Sequence, residues 1–268
     1  MPLTSYLVYD TTKCSIDFYC KMQYYVCKVI SMLWSRRTFC AALVLFTTLL
    51  MAGCVSTYTP RFVDGGGQVN GDSLVAVSPL SQYPDYPTGC ESVTAVMALH
   101  HAGVSISVED FIVHHLPCDE RFYEENGLLY GPDPYAVFIG DPRTPHSFGC
   151  MAPAIEQALL SCVGEGERVA NTTGEALSVL CRDYIDYGIP VILWATMEMR
   201  PVSSGRMWFL PDGRQFTWPA GEHCLLLVGY NEKEYLFNDP RYGTTVAYEK
   251  EAVEVAYAAL GKQSLVIE

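Results

Sequence analysis

Three side chains that could carry out nucleophilic chemistry together are Cys90, His223 and Asp239. A thiolate attacks carbonyl carbon, an imidazole can accept and return a proton near neutral pH, and a carboxylate can orient the imidazole. These residue types therefore indicate acyl transfer by a cysteine nucleophile, if the fold brings the three residues together.

The segment around Cys90 predicts a helix that would activate its sulfur. Thr88 and Glu91 have the spacing of a capping box, so we expect the helix to begin at Gly89 and to end at Gly103. Cys90 would then lie in the first turn, where the positive end of the helix dipole favours the thiolate. The alternative is a cysteine that serves only as a small buried apolar side chain.

His223 and Asp239 flank a segment that predicts a β-hairpin centred on Asn231. Antiparallel pairing about that centre places His223 opposite Asp239, and alternation along the strand turns Asn238 to the other face. Asp239 rather than Asn238 is therefore the expected partner of the imidazole. Considered alone, a histidine at the start of a strand is as often structural as catalytic.

The remaining pattern predicts an α+β domain. A long segment at 117–150, rich in Pro, Gly and Tyr, is expected to line a substrate cleft. The other predicted elements are a strand at 74–77, helices at 108–116 (capped by Ser107), 153–162 and 174–187, a buried strand at 189–194, and a hairpin at 207–218.

The N-terminal part of the chain resembles a bacterial lipoprotein leader. Arg36 and Arg37 precede an apolar run at 39–51, and Ala52-Gly53-Cys54 then completes a lipobox. We expect export, by the general or the twin-arginine route, and lipid attachment at Cys54, which would anchor the protein on the extracytoplasmic face of the cell membrane. The alternative is an uncleaved transmembrane anchor.

These observations predict four regions: an N-terminal extension at 1–31 ahead of Met32, a signal peptide at 32–53, a flexible tether at 54–73 and a peptidase domain at 74–268. The chain of 268 residues has a net charge of −13, and residues 54–268, with 12 basic and 28 acidic residues, have a charge of −16. This charge argues against a nucleic-acid partner. We expect a monomer.

Six segments resemble, in order, the bacteriocin-leader-processing type of papain-like cysteine peptidases, and within it the exported single-domain branch. The resemblance extends from about Leu74 to Ile267. The segments are QYPDYPTGCE at 82–91, DPYAVFIGDP at 133–142, FGCMAP at 148–153, GIPVILW at 188–194, EHCLLLVGY at 222–230 and NDP at 238–240.

The resemblance implies a papain-like fold in which an N-terminal helical part carries the cysteine and an antiparallel sheet carries the histidine and the aspartate. It also implies that Cys90 is the nucleophile, His223 the general base and acid, Asp239 the orienting residue, and Gln82 a donor to the oxyanion hole. No cofactor or metal is expected. The double-glycine specificity of the better-known members does not transfer, because the chain has no phosphate-binding loop of an export ATPase.

The leading functional hypothesis is a lipid-anchored thiol hydrolase that cleaves peptide bonds in a peptide or protein substrate. Two alternatives are a cell-wall amidase or acyl transferase with the same triad, and an inert papain-like protein that binds peptides. The histidines at 100, 101, 114 and 115 lack the spacing that places two zinc ligands on one helical face. Besides Cys90 and Cys54, the exported part has five cysteines whose disulfide pairing is open: Cys118, Cys150, Cys162, Cys181 and Cys224.

Overall fold

The computed structural model describes residues 60–63 and 74–268. Cys54 and the predicted leader lie outside these residues. Among the described residues, no helix is both long and apolar enough to cross a bilayer.

Helices occur on both sides of the central strands. They are α1 (Cys90–His101), α2 (Val108–His114), α3 (Ala152–Leu160), α4 (Leu177–Asp183) and α5 (Lys250–Ala259), with 3-10 turns at Ile185–Tyr187 and Met197–Met199. The strands are β1 (Arg61–Phe62), β2 (Cys118–Asp119), β3 (Tyr123–Glu125), β4 (Leu128–Tyr130), β5 (Phe138–Ile139), β6 (Val169–Asn171), β7 (Val191–Thr196), β8 (Ser203–Phe209), β9 (Gln215–Ala220), β10 (Glu222–Tyr230), β11 (Glu234–Asp239), β12 (Thr244–Glu249) and β13 (Ser264–Ile267).

The largest sheet has the strand order β1-β12-β11-β10-β7-β13-β6, and its neighbouring strands are antiparallel. A second sheet has the order β3-β4-β8-β9, and β2 pairs with β5 in parallel. The helices and the antiparallel central sheet confirm the predicted α+β class.

From Cys224 to Val228, strand β10 is continuously apolar, as expected of a strand with both faces covered. Cys224 and Leu226 point into a core shared with helix α1. Leu225 and Leu227 point into a second core, shared with α4 and α5. Helix α1 thus packs directly on the strand that carries His223.

The predicted register of the β10–β11 hairpin is wrong by two residues. The predicted centre makes Leu236 the partner of Leu226, whereas the structure pairs Leu226 with Asn238. The turn alone displaces the pairing by three positions, since Tyr230 pairs with Tyr235 rather than with Glu232. A β-bulge between Leu227 and Gly229 then reduces the displacement to two.

Beyond the bulge, on the side that carries His223 and Asp239, the even displacement leaves the side chains on their predicted faces. His223 and Asp239 therefore still meet, and their side chains are joined by a hydrogen bond of 2.8 Å. The prediction that they are neighbours is confirmed, although the pairing used to derive it is wrong.

Several local predictions are confirmed. Ser107 caps α2 by accepting a hydrogen bond from the backbone N–H of Asp110. Every residue of β7 is buried, and β8 and β9 form the predicted hairpin. The segment at 117–150 contributes Ser147 and Phe148 to the cleft described below.

One prediction about the elements before α1 is wrong, and one is tested at only four residues. Within the predicted tether at 54–73, Arg61 and Phe62 form an edge strand that pairs with β12, and Arg61 forms an ion pair with Glu234. Apart from residues 60–63, the tether lies outside the described residues and stays a prediction. Residues 74–77 make a single β-bridge, from Leu74 to Gly229, rather than a strand. All six cysteines within residues 74–268 are free thiols.

Candidate active site

Gln82, Cys90 and His223 line a single cleft. Asp239 lies behind His223 and is almost completely buried. The fold therefore collects in one place the four residues that were predicted from well-separated parts of the chain.

The helix begins at Cys90 rather than at the predicted Gly89, so Cys90 lies in the first turn as predicted, but the predicted capping box is absent from this helix start. Gly89 is the N-cap residue and has no side chain to donate or accept a hydrogen bond. The Thr88 hydroxyl donates instead to the carbonyl oxygen of Thr144, at 2.8 Å. Glu91 is buried, and its carboxyl group is engaged elsewhere.

The contacts of Asp239 determine which ring nitrogen of His223 carries the proton. Nε2 of His223 lies 2.8 Å from Oδ1 of Asp239, which also accepts from the backbone N–H of Arg241. The Tyr248 hydroxyl donates to Oδ2. An ionised carboxylate only accepts, so this network assigns the proton to Nε2 and leaves Nδ1 as a proton acceptor.

Asp239 is ionised despite its burial. Burial acts to raise the pKa of Asp239, but electrostatic attraction to His223 and the hydrogen bonds from His223, Arg241 and Tyr248 outweigh it and hold the pKa below its ordinary value. An ionised Asp239 can stabilise an imidazolium ion as it forms.

Asn238 faces away from the imidazole, as predicted. Its Nδ2 donates to the carbonyl oxygen of Val77 at 2.8 Å, and its Oδ1 accepts from the Thr245 hydroxyl at 2.7 Å. Through its hydrogen bond to Val77, Asn238 connects the central sheet to the segment before α1.

The thiol of Cys90 donates a hydrogen bond to Oε2 of Glu91, with a sulfur–oxygen distance of 3.2 Å. Oε1 of Glu91 accepts from the backbone N–H of Cys150, at 2.7 Å. Sequence reasoning assigned Glu91 to the helix cap and so missed its contact with the nucleophile. The only sequence signal was an acidic residue next to the cysteine. The structure adds that residues 90–99 of the helix are all buried.

Glu222, which sequence reasoning also missed, is a second buried carboxyl group at the base of the cleft. One ligand atom from each of Cys90, Glu91 and Glu222 lies within 4.8 Å of the others. Within the described part of the chain, Oε1 of Glu222 is buried without a hydrogen-bond partner. An acidic residue at the first position of a strand gives no sequence signal that its side chain is buried beside the nucleophile.

This environment contradicts the expectation that Cys90 is a thiolate at neutral pH. Burial raises the pKa of the thiol well above its ordinary value, and the nearby carboxyl groups of Glu91 and Glu222 raise it further. Burial also raises the pKa of Glu91. The pKa of Glu222 is raised by burial and, in addition, by the nearby charge of Glu91. The resting nucleophile is therefore a neutral thiol.

Gly149 makes room for the two carboxyl groups. A Cβ atom at this position would lie 2.4 Å from Oε1 of Glu91 and 3.2 Å from Oε2 of Glu222. The backbone φ angle of +132° also disfavours any other residue. The pair of carboxyl groups thus depends on a glycine from the loop that precedes α3.

Gln82 has one amide hydrogen available to a ligand. Its Nε2 donates to the carbonyl oxygen of Pro87, at 2.9 Å, and its backbone N–H donates to that of Pro240. Because an amide nitrogen has two hydrogens, the second remains for an acceptor in the cleft. This geometry is compatible with the predicted role of Gln82 as an oxyanion donor.

Comparisons with known proteins identify the family of this chain. Residues 74–265 match the model of the Peptidase_C39 like family. The chain belongs to this family. It is 26% identical over 186 residues to the uncharacterized protein YvpB of Bacillus subtilis strain 168, a match that covers 69% of this chain and 71% of that protein.

A solved structure supports the fold independently. A Bacillus anthracis protein, solved as a C39-like peptidase, superposes with a TM-score of 0.65, covering 74% of this chain and 98% of its own. Its sequence identity of 20% establishes only a shared fold. Family and fold together support the papain-like α+β architecture and suggest a peptidase.

Proposed function

We propose that the protein is a thiol hydrolase that cleaves peptide bonds, with Cys90 as nucleophile, His223 as general base and acid, and Asp239 as orienting residue. The observation that carries this proposal is the buried Asp239–His223 hydrogen bond beside a cleft that is also lined by Cys90. An orienting carboxylate that leaves Nδ1 free is the arrangement that general-base catalysis requires.

The first half of the reaction forms a thioester. The Cys90 thiol leaves its hydrogen bond to Glu91, Nδ1 of His223 takes its proton, and Sγ attacks the carbonyl carbon of the substrate. The Gln82 amide and the backbone N–H of Cys90 donate to the oxyanion. The C–N bond then breaks, and the imidazolium gives its proton to the departing amine.

The second half restores the enzyme. His223 removes a proton from water, the hydroxide attacks the thioester carbon, and the S–C bond breaks. The carboxylic acid product leaves, and the proton returns to Sγ. Because the resting thiol is neutral, proton transfer to His223 accompanies the attack rather than preceding it as a stable ion pair.

The cell-wall amidase or acyl transferase would use the same thioester and differ only in the acyl donor or acceptor. Membership of a peptidase-like family favours peptide cleavage over these two reactions. An inert peptide-binding protein would have no need of a buried, ionised partner for His223.

The proposal includes a location outside the cytoplasm. It is supported by the lipobox at Cys54 and by the apolar run that precedes it.

A peptide library provides the test. We expect the purified protein to generate new peptide termini, detected by mass spectrometry, and the Cys90→Ala and His223→Ala variants to generate none above background. Equal cleavage by wild type and Cys90→Ala would refute the proposed nucleophile. Cleavage of peptidoglycan fragments but of no peptides would favour the amidase.

A further inference from the structure

The base of the cleft brings together three ligand atoms that suit a metal ion. Sγ of Cys90 and a carboxylate oxygen from each of Glu91 and Glu222 lie within 4.8 Å of one another. All three residues are buried, and Sγ is already only 3.2 Å from Oε2 of Glu91.

The second observation is the unpartnered oxygen of Glu222. Its Oε1 is buried and accepts no hydrogen bond from the residues that the structure describes, although the side chain lines the cleft. A buried polar atom without a partner costs on the order of 1–3 kcal/mol. Arg241, the arginine of this cleft, forms an ion pair with Glu198 instead.

We propose that Cys90, Glu91 and Glu222 form a binding site for a thiophilic divalent cation, with Zn²⁺ as the best fit, and that the bound ion blocks the nucleophile. Donors around a tetrahedral zinc lie roughly 3.4–3.6 Å apart, given Zn–S and Zn–O bonds of about 2.3 and 2.1 Å. The Cys90–Glu91 pair already approaches this spacing. Rotation of the Glu222 side chain would complete the set, and water from the cleft would supply a fourth ligand.

The ligand types select among cations. A thiolate favours Zn²⁺ over Mg²⁺ and Ca²⁺, which prefer all-oxygen sites. The backbone N–H of Cys150, which donates to Oε1 of Glu91, would orient one carboxylate. Binding transfers the thiol proton, and any proton held by the carboxyl pair, to the solvent, and no electron is transferred.

The site itself is independent of the proposed function, whereas inhibition by the ion rests on that function. The primary measurement therefore uses no substrate. Metal-free protein is titrated with Co²⁺, whose thiolate complex gives a sulfur-to-metal charge-transfer band, and Zn²⁺ is then used to displace it. In parallel, alkylation of Cys90 by iodoacetamide is followed by mass spectrometry with and without Zn²⁺.

We expect one Co²⁺ per chain with a charge-transfer band, and slower alkylation of Cys90 in Zn²⁺ but not in Mg²⁺. The isosteric variant Glu222→Gln should bind Zn²⁺ at least about 10-fold more weakly and lose the protection, since loss of even a group that only orients a metal ligand typically costs about 10- to 100-fold. Cys118→Ser, which removes an exposed thiol, serves as the control and should retain both.

Unchanged alkylation of wild-type Cys90 in Zn²⁺ would overturn the proposal, as would full protection in Glu222→Gln. If Glu222→Gln does not fold, the wild-type comparison of Zn²⁺ with Mg²⁺ decides the question. A protein that binds Zn²⁺ through Cys90 but cleaves no peptide would refute the proposed function and leave the metal site standing.

Discussion

Replacing Glu91 by Gln should lower the pKa of the Cys90 thiol and speed its alkylation at neutral pH. The substitution keeps the size of the side chain and its oxygen, which can still accept from the backbone N–H of Cys150. It removes the carboxylate charge that faces Sγ, a charge that is only partly present near neutral pH because burial raises the pKa of Glu91 to about 7. It also places an amide N–H beside the sulfur, where it can donate to the thiolate.

The magnitude follows from the contact distance. Two unit charges at the 3.2 Å that separates Sγ from Oε2 interact with roughly 5 kcal/mol at an effective dielectric constant of about 20, which is equivalent to about 4 pKa units. This figure is a ceiling, because burial of the thiol and the nearby Glu222 remain. A decrease of about 1 unit would already raise the thiolate fraction at pH 7 about tenfold.

The assay is the rate of iodoacetamide labelling of Cys90 between pH 6 and 10, in the presence of a chelator. Because its pKa is raised, wild-type Cys90 should label slowly at pH 7, with a rate that increases with pH throughout the range. The Glu91→Gln rate should be at least about tenfold higher at pH 7 and level off at lower pH. Glu165→Gln, an exposed position, is the control. An unchanged or slower rate in a folded Glu91→Gln variant would refute the assignment of Glu91 as the group that keeps the thiol protonated.

Three further predictions concern the orienting residue, the carboxyl pair and the lipid. Asp239→Ala should lower peptide turnover roughly ten- to ten-thousand-fold and Asn238→Ala much less, because only Asp239 contacts His223; the opposite ranking in folded variants would show that the orienting residue is misassigned. Gly149→Ala should lower the free energy of unfolding by about 1–3 kcal/mol, measured by urea denaturation, whereas Gly166→Ala, with open space around it, should change it little; equal effects would contradict the close packing of the carboxyl pair. Cys54→Ser should abolish palmitate incorporation in cells, and undiminished labelling would refute the lipid anchor.

Periodic features could be predicted from the sequence because they depend on burial alone. The apolar run before Trp194 predicts β7, and the run after His223 predicts β10, since strands covered on both faces are apolar throughout. The predicted contact between His223 and Asp239 required only that both side chains lie on the same face of the sheet, and not that the two residues pair. The turn displaces the pairing by three positions, which alone would place them on opposite faces, but the bulge reduces the displacement to an even number.

The electrostatics of the nucleophile could not be predicted from local sequence. A first-turn cysteine suggests a thiolate, but the fold buries Cys90 and turns Glu91 inward through a hydrogen bond from Cys150, 59 residues away. Glu222 reaches the same place from the start of β10. These contacts join three distant segments, and no spacing rule within one segment reports them.

Activation of Cys90 by His223 can be measured with an epoxide probe that has a peptide-like backbone. At pH 7 we expect covalent modification at Cys90 in the wild type, mapped by mass spectrometry, and its loss in His223→Ala, because the neutral thiol needs a base. Exposed Cys118 supplies the background rate for an unactivated thiol. Modification of Cys90 that persists in His223→Ala, or preferential modification of Cys150 or Cys224, would show that His223 does not activate Cys90.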